Sequence, residues 1–202
     1  MKRMLGTVAV LVLFTSACGS EPTNGDTDFT VEQTTPTPTA TQETPAPPAG
    51  ASDLVVKPGA IGPVKAGITK DEALATGLFD ADVKGVEGCT FALQWKKQFT
   101  GVDVLTREDG SVAALGVTAG GPKTEEGIGV GSTLADVKEA YPELSPVSEA
   151  GFDQAGAFVT AGDDHIGFLF GDTTVATIKD SSKVSFIEVT HGKRPELMRS
   201  GC

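Results

Sequence analysis

The chain has 202 residues, of which 39% are hydrophobic and 6% aromatic, and its net charge is −11 at pH 7. That acidity excludes a general affinity for nucleic acid and an electrostatic grip on anionic lipid. With His165 and His191 as the only histidines, and no Cys-x-x-Cys or His-x-x-x-His spacing, the sequence offers no metal site and implies no cofactor.

Lys2 and Arg3 form a positive start, followed by an uncharged apolar run from Met4 to Phe14. The run is shorter than the roughly 20 residues a spanning helix needs, and suits the apolar region of a signal peptide. Thr15-Ser16-Ala17-Cys18 then places small residues before a cysteine, and resembles the lipobox of bacterial lipoproteins, with Thr15 where Leu is more usual. The resemblance implies that residues 1–17 are a lipoprotein signal peptide. Cys18 is then diacylated and becomes the new N-terminus, holding the protein to the outer face of the cell membrane. Two acyl chains anchor stably where one does not, each buried CH₂ contributing about 0.8 kcal/mol. The alternatives are a plain signal peptide cut after Ala17, leaving a free thiol, and an uncleaved N-terminal anchor.

Residues 18–52 hold six of the chain's 12 prolines, abundant Thr and one aromatic, Phe29. Such a stretch cannot bury enough apolar surface to offset the entropy of ordering. It is expected to be a disordered, semi-extended stalk. Residues 53–202 are the size of one domain with a real core. Cys89 and Cys202 fall within it, and two cysteines in an exported chain allow one disulfide, Cys89–Cys202, or two free thiols. An oxidising compartment favours the disulfide. In the chain-entropy picture so long a loop contributes about 4 to 5 kcal/mol.

The domain repeats itself. Gly62-Pro-Val-Lys-Ala-Gly67-Ile-Thr69-Lys-Asp-Glu72-Ala73 matches Glu126-Gly-Ile-Gly-Val-Gly131-Ser-Thr133-Leu-Ala-Asp136-Val137 at constant offset. In each copy a glycine permits a sharp turn, and Thr-x-x-Glu/Asp is the capping-box start of a helix. Gly77 is placed to stop the first helix. Leu134, Val137, Tyr141 and Leu144 form one stripe on the second, which Pro142 ends near Tyr141. Strand periodicity follows each helix. Cys89 to Lys97 alternates, with Phe91, Leu93 and Trp95 on one face. Gly101 to Thr106 and Ser111 to Thr118 flank an Asp109-Gly110 hairpin signal. In the second half Gly156 to Ala161 and His165 to Phe170 flank Gly162-Asp163-Asp164. Thr174 to Ile178 is a further short strand candidate, and Lys183 to His191 is the last strand. The expected class is α+β, with two tandem units, about 53–120 and 121–202, each a helix followed by antiparallel strands.

This tandem pattern resembles a fold group containing the bacterial β-lactamase-inhibitor proteins and the small outer-membrane lipoproteins of the β-barrel assembly machinery. The Gly62 to Thr69 segment, with Cys89 and Cys202, is also similar to exported actinobacterial lipoproteins of unknown function. The resemblance implies a sheet whose concave face grips a protein partner. The aromatic-rich contact face of the inhibitors has no counterpart in composition, since one Trp and one Tyr are present.

No constellation of catalytic residues stands out. Asp163-Asp164-His165 reads as a polar hairpin tip. Gly-x-Ser-x-Gly is absent. Gly127, Gly129 and Gly131 lack the Lys-Ser/Thr ending of a phosphate loop. Trp95 has two readings: a platform for a peptide or sugar, or a strand aromatic packed on a helix. The expectation is a non-enzymatic, lipid-anchored module of the cell envelope that binds or scaffolds another envelope or secreted protein through a surface including Trp95. A small-molecule or glycan binder is the alternative and a hydrolase the more remote one.

Overall fold

The computed structural model describes residues 50–85 and 90–197. The leader 1–17, Cys18 and the linker to residue 49 lie outside the described residues, as do Cys89 and Cys202.

Gly50 leads into a 3-10 turn, Ala51–Asp53, where Ala51 is buried and the Asp53 carboxylate accepts from the Gly50 amide at 3.2 Å. In chain order the elements are β1 (Val55–Lys57), β2 (Ala60–Ile61), β3 (Val64–Lys65), α1 (Lys70–Ala75), β4 (Phe79–Lys84), β5 (Thr90–Trp95), β6 (Val102–Thr106) and β7 (Val112–Val117). They continue with β8 (Lys123–Thr124), α2 (Leu134–Ala140), β9 (Ser148–Glu149), β10 (Ala155–Ala161), β11 (Asp164–Phe170) and β12 (Val184–His191). The class is α+β, dominated by sheet.

Both helices begin as their sequences dictate. Thr69 Oγ1 accepts the Glu72 amide at 3.3 Å, and Glu72 accepts the Thr69 amide at 2.9 Å. Thr133 and Asp136 repeat the exchange at 3.2 and 2.7 Å. Gly67 and Gly131 precede these caps with φ of +92 and +97, a region that favours glycine. Gly77, at φ +74, ends α1 by donating its amide to the Leu74 carbonyl. On α2, Leu134 and Val137 are buried, with Tyr141 at the cap, its ring 5.6 Å from Phe168.

The strands do not divide into one sheet per half. The main sheet runs β6-β7-β12-β11-β10-β9, with antiparallel neighbours throughout, so two strands from the first half join four from the second. The joint is the β7–β12 pair, with Val117 opposite Ile187 and Leu115 opposite Val189. β4 and β5 form a separate ribbon, and the short strands form a third sheet in the order β3-β2-β1-β8. Thr174 to Ile178, expected as a strand, is a turn instead. The Thr177 and Ile178 amides both donate to the Thr174 carbonyl, and Thr177 Oγ1 accepts the Thr174 amide, so local bonds take the groups a ladder needs.

One face of the main sheet carries the core: Leu115, Val117, Ile166, Phe168, Ile187 and Val189, each 1% exposed or less, pack with α2. Each large side chain so buried contributes about 1.5 to 3 kcal/mol. The opposite face is covered by the chain's own last described residues. Leu197 donates its amide to Glu188 at 2.6 Å, and Arg194 stacks on Phe158 at 4.5 Å. Pro195 and Leu197 lie where a Cβ at Gly156 or Gly167 would stand, within 2.7 to 3.0 Å. The two glycines, on adjacent strands, form a shallow seat for this strap.

Candidate functional site

Trp95 ends β5, and the alternation read from the sequence places Leu93 and Trp95 inward, 2% and 7% exposed. Its ring is flanked by Phe79 at 4.4 Å and Phe99 at 5.8 Å, both tilted. Such pairs add about 0.5 to 1.5 kcal/mol beyond area burial. Trp95 is therefore no exposed platform. It lies at the floor of a cleft of about 510 Å³ between β5 and β6. Among the described residues its indole N–H has no hydrogen-bond partner.

The cleft forms because β5 and β6, although consecutive, are not paired. The connection between them turns at Lys96–Phe99, where the Phe99 amide returns to the Lys96 carbonyl. At its other end Gly101 lies against Gly121, so close that a Cβ on Gly101 would come within 2.3 Å of the Gly121 nitrogen. Apolar walls come from Phe91, Leu93, Phe99, Val102 and Val104, and the rim carries Asp80, Gln94, Lys96, Lys97 and Asp103. An apolar floor with a few polar groups at the mouth can hold a small ligand or the side chains of a partner.

The other residues singled out in the sequence are dispersed. Strand alternation sends Asp164 and His165 apart: Asp164 lies 2.8 Å from His191 Nδ1, while His165 Nδ1 meets Thr160 Oγ1 at 3.0 Å. Asp163 sits in the two-residue turn between Ala161 and Asp164, led by Gly162 at φ +65. The Asp164–His191 pair borders a second cleft of about 320 Å³ with Pro58, Gly59, Lys65, Gly67 and Ile68. Those described lining residues contribute no hydroxyl or thiol to act with the pair as a nucleophile. In the glycine cluster the Gly127 and Ile128 amides go to Thr124, the Gly129 amide to Ser132 and the Gly131 amide to Val184, leaving no cradle of free donors.

The cleft was only half visible in the sequence. Period-2 alternation identifies Phe91, Leu93 and Trp95 as one face, but the gap across from β6 depends on a pairing that does not form. Four shifted carboxylates serve structure elsewhere, among them Asp109, held down by the Ser111 hydroxyl and amide. Glu72 and Asp136 are held below the usual range by the amide and hydroxyl of their capping threonines. Glu126 is held down chiefly by the Tyr141 hydroxyl, which donates to it at 2.5 Å. Compared with protein-family profiles, curated proteins and solved structures, the chain finds no match.

Proposed function

We propose that the protein is a lipoprotein anchored through Cys18 on the extracytoplasmic side of the cell membrane, and that its folded part is a non-catalytic module that binds or scaffolds another envelope or secreted protein. The observation that carries the reading is the β5–β6 cleft, with apolar walls and a polar rim. Trp95 serves this module as the floor of the site. The leader and the Thr15-Ser16-Ala17-Cys18 run support the anchor, and export supports a Cys89–Cys202 disulfide. The two capping boxes at matching places in the repeat support reading the domain as two diverged helix-then-strand units.

The test is capture from detergent-solubilised envelope on the immobilised mature chain, with Gln94→Arg/Lys97→Glu alongside. Both substituted side chains are exposed at the rim, so the fold tolerates the change. A partner held by the parent and lost by the rim variant is the expected outcome. A partner held equally by both would move the site away from the cleft. The cleft's volume also suits a small molecule or glycan fragment. Thermal stabilisation by wall fragments, with no protein captured, would favour that second reading.

A further inference from the structure

We propose that the protein holds a further binding site, on the outer face of the main sheet beside the strap, that takes a small organic anion: a carboxylate or phosphate group carried on a compact apolar body. The site is separate from the β5–β6 cleft, and it stands or falls independently of the partner proposed there.

Its floor is one row of side chains across three strands. Leu105 on β6 is opposite Ala114 on β7, which is opposite Thr190 on β12. Directly paired residues share a face. This face is turned away from the core residues Leu115, Val117 and Val189, because strand side chains alternate. Ala114 keeps the middle of the row low, and a cleft of about 480 Å³ opens above it, a volume suited to a small ligand. Leu105, 41% exposed, offers apolar surface beside Ala113 and Ala114. Ala113 is the extra residue of a β-bulge, since Leu105 pairs with Ala114 while Thr106 pairs with Val112. A bulge bends the strand and re-aims the side chains beside it, and Arg107 follows directly.

Cations converge on this cleft in a chain whose net charge is −11. The described residues include two arginines, Arg107 and Arg194, and both line it, together with Lys193. None of the three enters an ion pair among the described residues. Arg107 Nη1 donates to Ser111 Oγ at 3.2 Å and to the Val112 carbonyl at 3.0 Å, which fixes the guanidinium and leaves its Nε–Nη2 edge for a ligand. That edge matches two oxygens of one carboxylate or phosphate. The neighbouring Asp109 carboxylate is taken by the Ser111 amide and hydroxyl, at 2.9 and 2.6 Å. On the opposite wall the Thr190 hydroxyl donates to the Lys193 carbonyl and folds the strap back over the sheet, while Arg194 is held against the Phe158 ring. Two carboxylates also border the cleft. Glu188 is buried and accepts the Leu197 amide, and Glu196 is exposed on the strap. Three cations against two carboxylates leave the lining positive within an acidic molecule.

The mature chain is titrated calorimetrically, at fixed ionic strength, with small N-acyl amino acids and aryl phosphates, each beside its neutral amide or alcohol counterpart. The anions are expected to bind, and the neutral counterparts to bind about tenfold more weakly or less well still. The tighter of the two anion series tells a carboxylate ligand from a phosphate one. Arg107→Lys keeps the charge and loses the fork, so it should weaken binding about tenfold. Lys193→Glu reverses an exposed charge in the cleft and should weaken it at least as much, which keeps the test decisive where Arg107→Lys fails to fold. Lys179→Glu makes the same change at an exposed lysine outside the cleft and should leave affinity within about twofold, since distant exposed charges are screened. Neutral counterparts that bind as well as the anions overturn the proposal. So does equal weakening by Lys193→Glu and Lys179→Glu, which would mean a general field rather than a site, and so does the absence of binding by any anion.

Discussion

Thr133 shows how much one hydroxyl decides. It stands in extended backbone at φ −84, ψ 162, and its exchange of bonds with Asp136 satisfies amides that the start of α2 leaves without partners. Thr133→Ala should cost about 1 kcal/mol, and Thr69→Ala a similar amount at α1, measured by urea unfolding. The Tyr141–Glu126 bond makes stability depend on acid. Because the Glu126 pKa is lowered in the folded protein, its contribution is complete above about pH 4.5 and is lost as pH falls through the lower folded-state value. Tyr141→Phe should therefore lower the melting temperature at pH 7 and bring parent and variant together in strong acid. A gap between them that is constant with pH would assign the tyrosine's role to packing alone. Trp95 belongs to this scale too. Its 7% exposure makes Trp95→Ala a core truncation of about 3 to 5 kcal/mol, so the rim variants are the cleaner probes of binding.

At the scale of elements, the strap over the outer sheet face depends on two missing side chains. Gly167→Ala would place a Cβ 2.9 Å from Pro195 and 3.0 Å from Leu197. The strap must then shift, at a cost of about 1 to 3 kcal/mol. The Leu197 amide should exchange with solvent faster as its bond to Glu188 loosens, while the β11–β12 amides stay protected. Uniform loss of protection would mean the glycine serves the whole sheet instead. What was legible in the sequence divides along the same line. The helix starts, the turn at Asp109-Gly110, the last strand and the inward face of β5 follow from contacts a few residues apart. The β7–β12 joint, the splitting of β5 from β6 and the seating of Leu197 on Gly156 depend on residues brought together across the chain. No local period encodes them. Thr174 to Ile178 failed as a strand for a related reason, because threonine hydroxyls can satisfy the backbone without a neighbouring strand.

For the whole molecule, the proposed arrangement is an acidic domain on a Thr/Pro stalk held by lipid. Cys18→Ser should move the protein from the membrane fraction to the soluble one and leave the domain's unfolding curve unchanged. Persistence in the membrane would point to the uncleaved apolar run as the anchor. Among the described residues β5 and β6 each pair on one side only, which bears on how copies of the protein behave in solution. A strand edge without a neighbour can pair with a strand from a second copy. The net charge of −11 opposes that encounter by mutual repulsion at a distance. Salt removes the repulsion over a Debye length of about 8 Å at physiological ionic strength and leaves the edges intact. Colloidal stability should therefore fall as salt rises, read as growing light scattering in the unlipidated protein.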